Sequence, residues 1–81
     1  MKNIIIYTIH PDEWPCDYCD KAKAWLSERG HKFDAVPLYV EDRAEKYDEW
    51  GLTKPNRTMP QIFIDGVRIG GFSELVEMED L

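Results

Sequence analysis

The sequence predicts an α/β fold with the order β-α-β-α-β-β-α, a four-stranded mixed sheet flanked by three helices. Three observations lead to it. Apolar runs with strand character alternate with runs of helical period, as in a βαβ unit. The dipeptide Asp65-Gly66 stands between two short apolar runs and marks a two-residue hairpin. The only two cysteines, Cys16 and Cys19, sit two residues apart where the first strand gives way to the first helix.

The elements follow in order. Asn3 to Ile9 is β-branched and apolar at consecutive positions, which suits a central strand covered on both faces. His10 to Pro15 carries two prolines and two acids in six residues and reads as a loop. A loop histidine such as His10 is ordinarily just exposed. From Asp17 the period changes: Cys19, Ala22 and Leu26 share one helical face with Trp25 beside them, and the helix runs through Lys21 to Arg29 before Gly30 ends it. Cys16 therefore stands at the helix start and Cys19 one turn inside. His31 to Tyr39 is a second strand, parallel to the first; Pro37 has no N–H to donate, so it belongs at a sheet edge. Glu41 to Trp50 is a second helix with an apolar stripe of Ala44, Tyr47 and Trp50, read as core. Leu52 to Thr58 is a loop, Gln61 to Ile64 a third strand, Val67 to Ile69 a fourth, and Phe72 to Leu81 a last helix with Phe72, Leu75, Val76 and Met78 inward.

Length and composition bound the function. Eighty-one residues make one domain, residues 1–81, and 43% hydrophobic with 32% charged residues is ordinary for a globular chain. A net charge of -6 repels phosphate backbones, so nucleic acid is not an expected partner. The longest early apolar run, Ile4 to Tyr7, is too short for a membrane span or a signal peptide. The expected setting is the cytoplasm, without a membrane partner. A standing structural disulfide is uncommon there, so the cysteine pair is expected to cycle or to bind metal.

Three motifs then match one family in order and spacing. Cys16-Asp17-Tyr18-Cys19 resembles the Cys-Pro-Tyr-Cys site of dithiol glutaredoxins. Thr58-Met59-Pro60-Gln61-Ile62-Phe63-Ile64 resembles their Thr-Val-Pro segment, and Ile69-Gly70-Gly71-Phe72-Ser73-Glu74-Leu75 their Ile-Gly-Gly segment and following helix. The likeness spans nearly the whole chain and implies a thioredoxin-like fold. In Asp17 and the Thr-Met-Pro-Gln wording it is most similar to the small phage-encoded glutaredoxins, which reduce ribonucleotide reductase. Three features depart from the family pattern: Glu13 stands where members often carry lysine, the loop before Cys16 is longer, and Asp17 replaces proline.

The resemblance implies a glutathione-dependent thiol–disulfide oxidoreductase, with glutathione as reducing co-substrate, disulfide-bearing proteins such as ribonucleotide reductase as partners, no metal, and a monomer. Cys16 is the expected nucleophile and Cys19 the resolving thiol. The positive end of the helix favours the Cys16 thiolate, the attacking species. Asp12, Glu13, Asp17 and Asp20 oppose this, and Lys21 or Lys23 offset them. Pro60 matches the family's cis-proline. The expected glutathione contacts are Tyr18, Arg57, Thr58, Met59, Pro60, Gly71, Phe72 and Ser73. Tyr18 reads equally as a half-buried aromatic, Arg57 as a solvated loop residue, and Ser73 as a helix cap. Glu74 has no evident role so close to an expected carboxylate site.

Other readings of the cysteines are an iron–sulfur carrier using the first cysteine and glutathione, an electron donor fed by thioredoxin reductase, a structural zinc site and a non-catalytic domain of the same fold. Zinc wants four ligands, and His10 and His31 match no finger spacing. The intact cysteine pair and proline segment argue against a non-catalytic domain.

Overall fold

Strand β1, Ile4–Ile9, lies second in a four-stranded sheet of order β2-β1-β3-β4. The structure is a computed structural model and describes residues 2–78 and 81. Helix α1, Asp17–Glu28, returns the chain to β2, Asp34–Leu38, which pairs parallel to β1 from Ile5↔Asp34 to Ile9↔Leu38. Helix α2, Val40–Glu49, and a long loop lead to β3, Gln61–Ile64, antiparallel to β1 on its other side. Strand β4, Val67–Gly70, completes the hairpin, and α3, Phe72–Val76, follows. Asp65 and Gly66 both have positive φ, 52° and 82°, as the mirror-image hairpin turn requires.

The core forms because β1 alternates. Ile4 and Ile6 are buried on one face and meet Ala22 and Leu26 of α1, Ile62 and Ile64 of β3 and Leu75 of α3. The other face of β1 is only half-buried. Tyr7 points there and packs edge-on against Trp50 and Phe63, with ring centroids 4.9 and 5.6 Å away. Helices thus lie on both faces, as the βαβ order predicts, with one face much drier than the other.

Several boundaries differ from the sequence reading. The β2 ladder starts only at Asp34, which pairs with Ile5. Pro37 does lie on the edge strand, opposite Thr8. Helix α2 buries none of its residues: Ala44 is exposed, and Trp50, just past the last turn, meets Tyr7 and Phe63 of the sheet, with Tyr47 edge-on against Trp50. Helix α3 stops at Val76 rather than running to Leu81; Glu79 and Asp80 lie outside the described residues. Its end has no basic residue, and Glu77 stands at the negative pole of the helix, where a carboxylate is unfavourable. Met78 still packs against the core.

Candidate active site

The site is built where β1 ends. The loop from His10 to Pro15 is held to the elements beside it: His10 N–H donates to the Leu38 carbonyl at 2.9 Å, and the Glu13 and Trp14 N–H groups donate to the His10 carbonyl at 3.0 and 3.2 Å. The His10 ring stacks on Tyr39, with centroids 4.1 Å apart. Cys16 then serves as the N-cap of α1, and its Sγ accepts the Cys19 N–H at 3.2 Å. An N-cap position offers the sulfur unpaired backbone donors and the positive end of the helix, both of which stabilise a thiolate.

Cys16 and Cys19 are joined as a disulfide, with Cα atoms 5.2 Å apart. Their surroundings differ. Cys19 is 2% exposed, against the same apolar interior as Ala22, whereas Cys16 is only half-buried. Solvent reaches Cys16 and not Cys19.

Glu13 explains itself in three dimensions. Its carboxylate accepts from Arg43 at 2.6 Å and caps α2 by accepting the Val40 N–H at 3.1 Å, while Arg43 also donates to the Leu38 carbonyl at 2.8 Å. The Arg43 hydrogen bond, then the Val40 N–H, hold its carboxyl below the usual range. The expected opposition of Glu13 to the nucleophile is thereby corrected: its charge is matched by Arg43 and an N-terminal helix pole. A depressed folded-state pKa stabilises the fold above the ordinary value of 4.5, and that contribution is lost as pH falls through the depressed value. Glu13→Gln should therefore be less stable than the wild type at neutral pH. The gap should close once acid titrates Glu13 below pH 4.5, as urea unfolding at several pH values would show. A gap that persists unchanged at acid pH would contradict the pairing.

The two lysines divide. Lys23 Nζ lies 3.7 Å from Asp20, whereas Lys21 Nζ lies over the Tyr18 ring, 5.1 Å from its centroid. Tyr18 itself is exposed, with its ring 6.3 Å from that of Phe72.

A groove of about 500 Å³ opens beside Tyr18. Thr58, Met59, Pro60, Gly71, Phe72 and Ser73 line it, so the structure gathers around one cavity seven of the eight residues expected to meet glutathione. Met59-Pro60 is a cis peptide bond, and so is Lys54-Pro55, which nothing in the sequence reading anticipated. Gly71 lies against this loop: a Cβ there would come within 3.3 Å of the Pro60 carbonyl. Gly70 has φ of +114°, and a Cβ on it would stand 2.6 Å from Glu74 Oε1, so a side chain here would strain the backbone and displace the Glu74 carboxylate.

Arg57 is outside the groove lining. Its Nε donates to the Leu52 carbonyl at 2.6 Å and its guanidinium binds Asp48, which ties the Thr58 loop to α2. Glu74 turns back to accept the Gly71 N–H at 2.7 Å, capping α3 with its own carboxylate. Gln61 was missed by the sequence reading. It is 2% exposed, donates to the Thr58 carbonyl at 2.8 Å and accepts from Arg68 at 3.1 Å, fixing the floor of the groove. A lone polar residue opening an apolar run, just after a proline, is the only trace of this in the sequence. Among the described residues no group of three or more His, Cys, Asp or Glu could hold a metal ion.

The glutaredoxin family model matches residues 4–69. The chain is 38% identical over 79 residues to glutaredoxin 3 of Escherichia coli K12, covering 98% of this chain and 88% of that one. This protein belongs to the glutaredoxin family. It is also 35% identical over 81 residues to glutaredoxin 1 of Rickettsia felis, covering 98% and 74% of the two chains. The crystal structure of Francisella tularensis glutaredoxin 1, a cacodylate complex, superimposes with a TM-score of 0.83 at 36% identity over 99% of this chain and 94% of that one. The fold is the thioredoxin-like fold of those glutaredoxins, and the Cys16–Cys19 pair makes this glutaredoxin a dithiol disulfide oxidoreductase.

Proposed function

We propose that this glutaredoxin is reduced by glutathione and reduces protein disulfides and glutathione mixed disulfides, with Cys16 as nucleophile and Cys19 as resolving thiol. The observation that carries the assignment is the inequality of the two cysteines: Cys16 is reachable and capped by an N–H, and Cys19 is 2% exposed.

In the reduced enzyme the Cys16 thiolate attacks one sulfur of a substrate disulfide. The substrate S–S bond breaks, the leaving thiolate takes a proton, and a mixed disulfide to Cys16 forms. The Cys19 thiolate then attacks Cys16 Sγ, releases the second substrate thiolate and closes the Cys16–Cys19 bond, so two electrons have passed to the substrate. Two glutathione molecules reverse the oxidation of the enzyme and leave as glutathione disulfide.

Glutathione fits the groove beside Tyr18. Its cysteine would run along the backbone of Met59, which among the described residues makes no hydrogen bond of its own. Its γ-glutamyl end would reach Gly71, Phe72 and Ser73. Arg57 would meet the glycyl carboxylate only by releasing Asp48, so in this reading it chiefly holds the loop.

The test is glutathione-dependent reduction of 2-hydroxyethyl disulfide, coupled to glutathione reductase. Cys19→Ser should retain removal of glutathione adducts, which needs Cys16 alone, and lose reduction of protein disulfides by about a hundredfold or more, since no second thiol resolves the intermediate. Equal losses in both assays would overturn the division of roles. Turnover with thioredoxin reductase but not with glutathione would overturn the choice of reductant.

By the same reading the chain works as a single-domain monomer in the cytoplasm, on disulfide-bearing proteins such as ribonucleotide reductase. No helix among the described residues is long and apolar enough to cross a membrane. Deoxyribonucleotide formation with this protein as sole electron donor would check the substrate.

A further inference from the structure

A second groove, of about 370 Å³, opens on the other side of the redox disulfide and is lined by both Cys16 and Cys19. It lies between the first turns of α1 and the edge strand β2, and Trp14, Pro15 and Pro37 make much of its wall. Trp14 is 67% exposed. An exposed lone apolar side chain is commonplace, but this one is held out by a fixed backbone: its N–H is bonded to His10, and the preceding Glu13 is clamped by Arg43 and Val40. With the backbone beneath it already held, less freedom is lost when a partner covers the indole.

Acids outnumber cations around this groove. Asp20 and Lys23 both line it and pair at 3.7 Å, while Asp12, with its side chain 79% exposed, and Asp17, exposed next to Cys16, adjoin lining residues. Lys21 turns the other way, onto Tyr18 and the groove assigned above to glutathione. Glu13 adds nothing to the rim because Arg43 neutralises it.

We propose that this groove docks the disulfide-bearing polypeptide substrate, and that it selects segments whose reacting cysteine is flanked by an apolar side chain and a lysine or arginine. The apolar flank covers Trp14, Pro15 and Pro37; the cation meets Asp12 and Asp17, since Lys23 already pairs with Asp20. The surface is continuous with the disulfide that every substrate must reach, which is why the occupant is a substrate polypeptide. The inference rests on thiol–disulfide exchange at Cys16 and is independent of glutathione as reductant.

The experiment uses two disulfide-linked peptides, identical except for lysine or glutamate beside a Leu-Cys pair, with dithiothreitol as the reductant and uncatalysed rates subtracted. Wild type should favour the lysine peptide in kcat/KM by about tenfold at low salt, with the preference collapsing to about twofold or less in ~0.5 M salt. Asp12→Asn/Asp17→Asn should shrink the preference. Trp14→Ala should lower the ratio of peptide kcat/KM to 2-hydroxyethyl disulfide kcat/KM by about fivefold or more. An unchanged ratio in Trp14→Ala overturns the groove as the docking site. Equal rates for the two peptides at low salt overturn the charged occupant. Peptide turnover that falls as enzyme concentration rises would place a second copy of the chain there instead, and also overturns it. A failure of glutathione to support turnover would leave these dithiothreitol-driven ratios intact, so the two proposals fail separately.

Discussion

Cys16→Ser should lose disulfide reduction by about a thousandfold or more, to the limit of detection in the coupled assay. A serine hydroxyl is not ionised at neutral pH and forms no disulfide, so neither the attack nor the mixed disulfide survives. The fold should not suffer in step. Cys16 is only half-buried, and serine is itself a favoured N-cap that can accept the Cys19 N–H now taken by sulfur. The informative comparison is therefore activity against reducing-condition stability in the same preparation. Measurable turnover by Cys16→Ser would assign the chemistry to Cys19, which its burial argues against.

Leu26→Ala should destabilise the protein by about 3–4 kcal/mol. Leu26 is fully buried in α1 and packs with Ile4, Ile6, Ile62 and Leu75, so truncation leaves a cavity among strands that have little room to collapse. A chain of 81 residues has a total stability of about 4–12 kcal/mol. The loss is thus a large fraction of the whole, and Tm should fall by about 15–25 °C. Val67→Ala, at an edge-strand position 65% exposed, is the control and should change stability by less than about 0.5 kcal/mol. Activity should follow stability in Leu26→Ala, because the same helix presents Cys16 at its cap and Cys19 in its first turn. Comparable losses in the two variants would mean that the core is not where the burial places it.

Much of the site was legible because it is local. Two cysteines at i and i+3, preceded by a strand and followed by a helical apolar face, set one at a helix cap and the other inside the first turn. The Asp65-Gly66 turn and the edge position of Pro37 were equally local: one depends on backbone φ, the other on a missing N–H. Reading failed where a residue answers to partners far along the chain. Glu13 looked like a carboxylate set against the nucleophile, and Arg43, thirty residues on, makes it a clasp. Arg57 was open between a ligand residue and a solvated loop arginine, and its bond to Asp48 was legible in neither reading. Ala44 looked like core from its spacing, yet α2 meets the sheet mainly through Trp50 at its end.

The amino-acid order by itself determined the succession of elements, the pairing of Cys16 with Cys19 and the three segments that converge near them. Each depends on periodicity, turn chemistry or short spacing, which act within a few residues. Only the tertiary structure decided which charges remain free, which side of the disulfide carries each groove, and that Trp14 stands out in solvent on a pinned loop. Those properties depend on who neighbours whom across the sheet, and charge and burial are set by neighbours in space rather than in sequence.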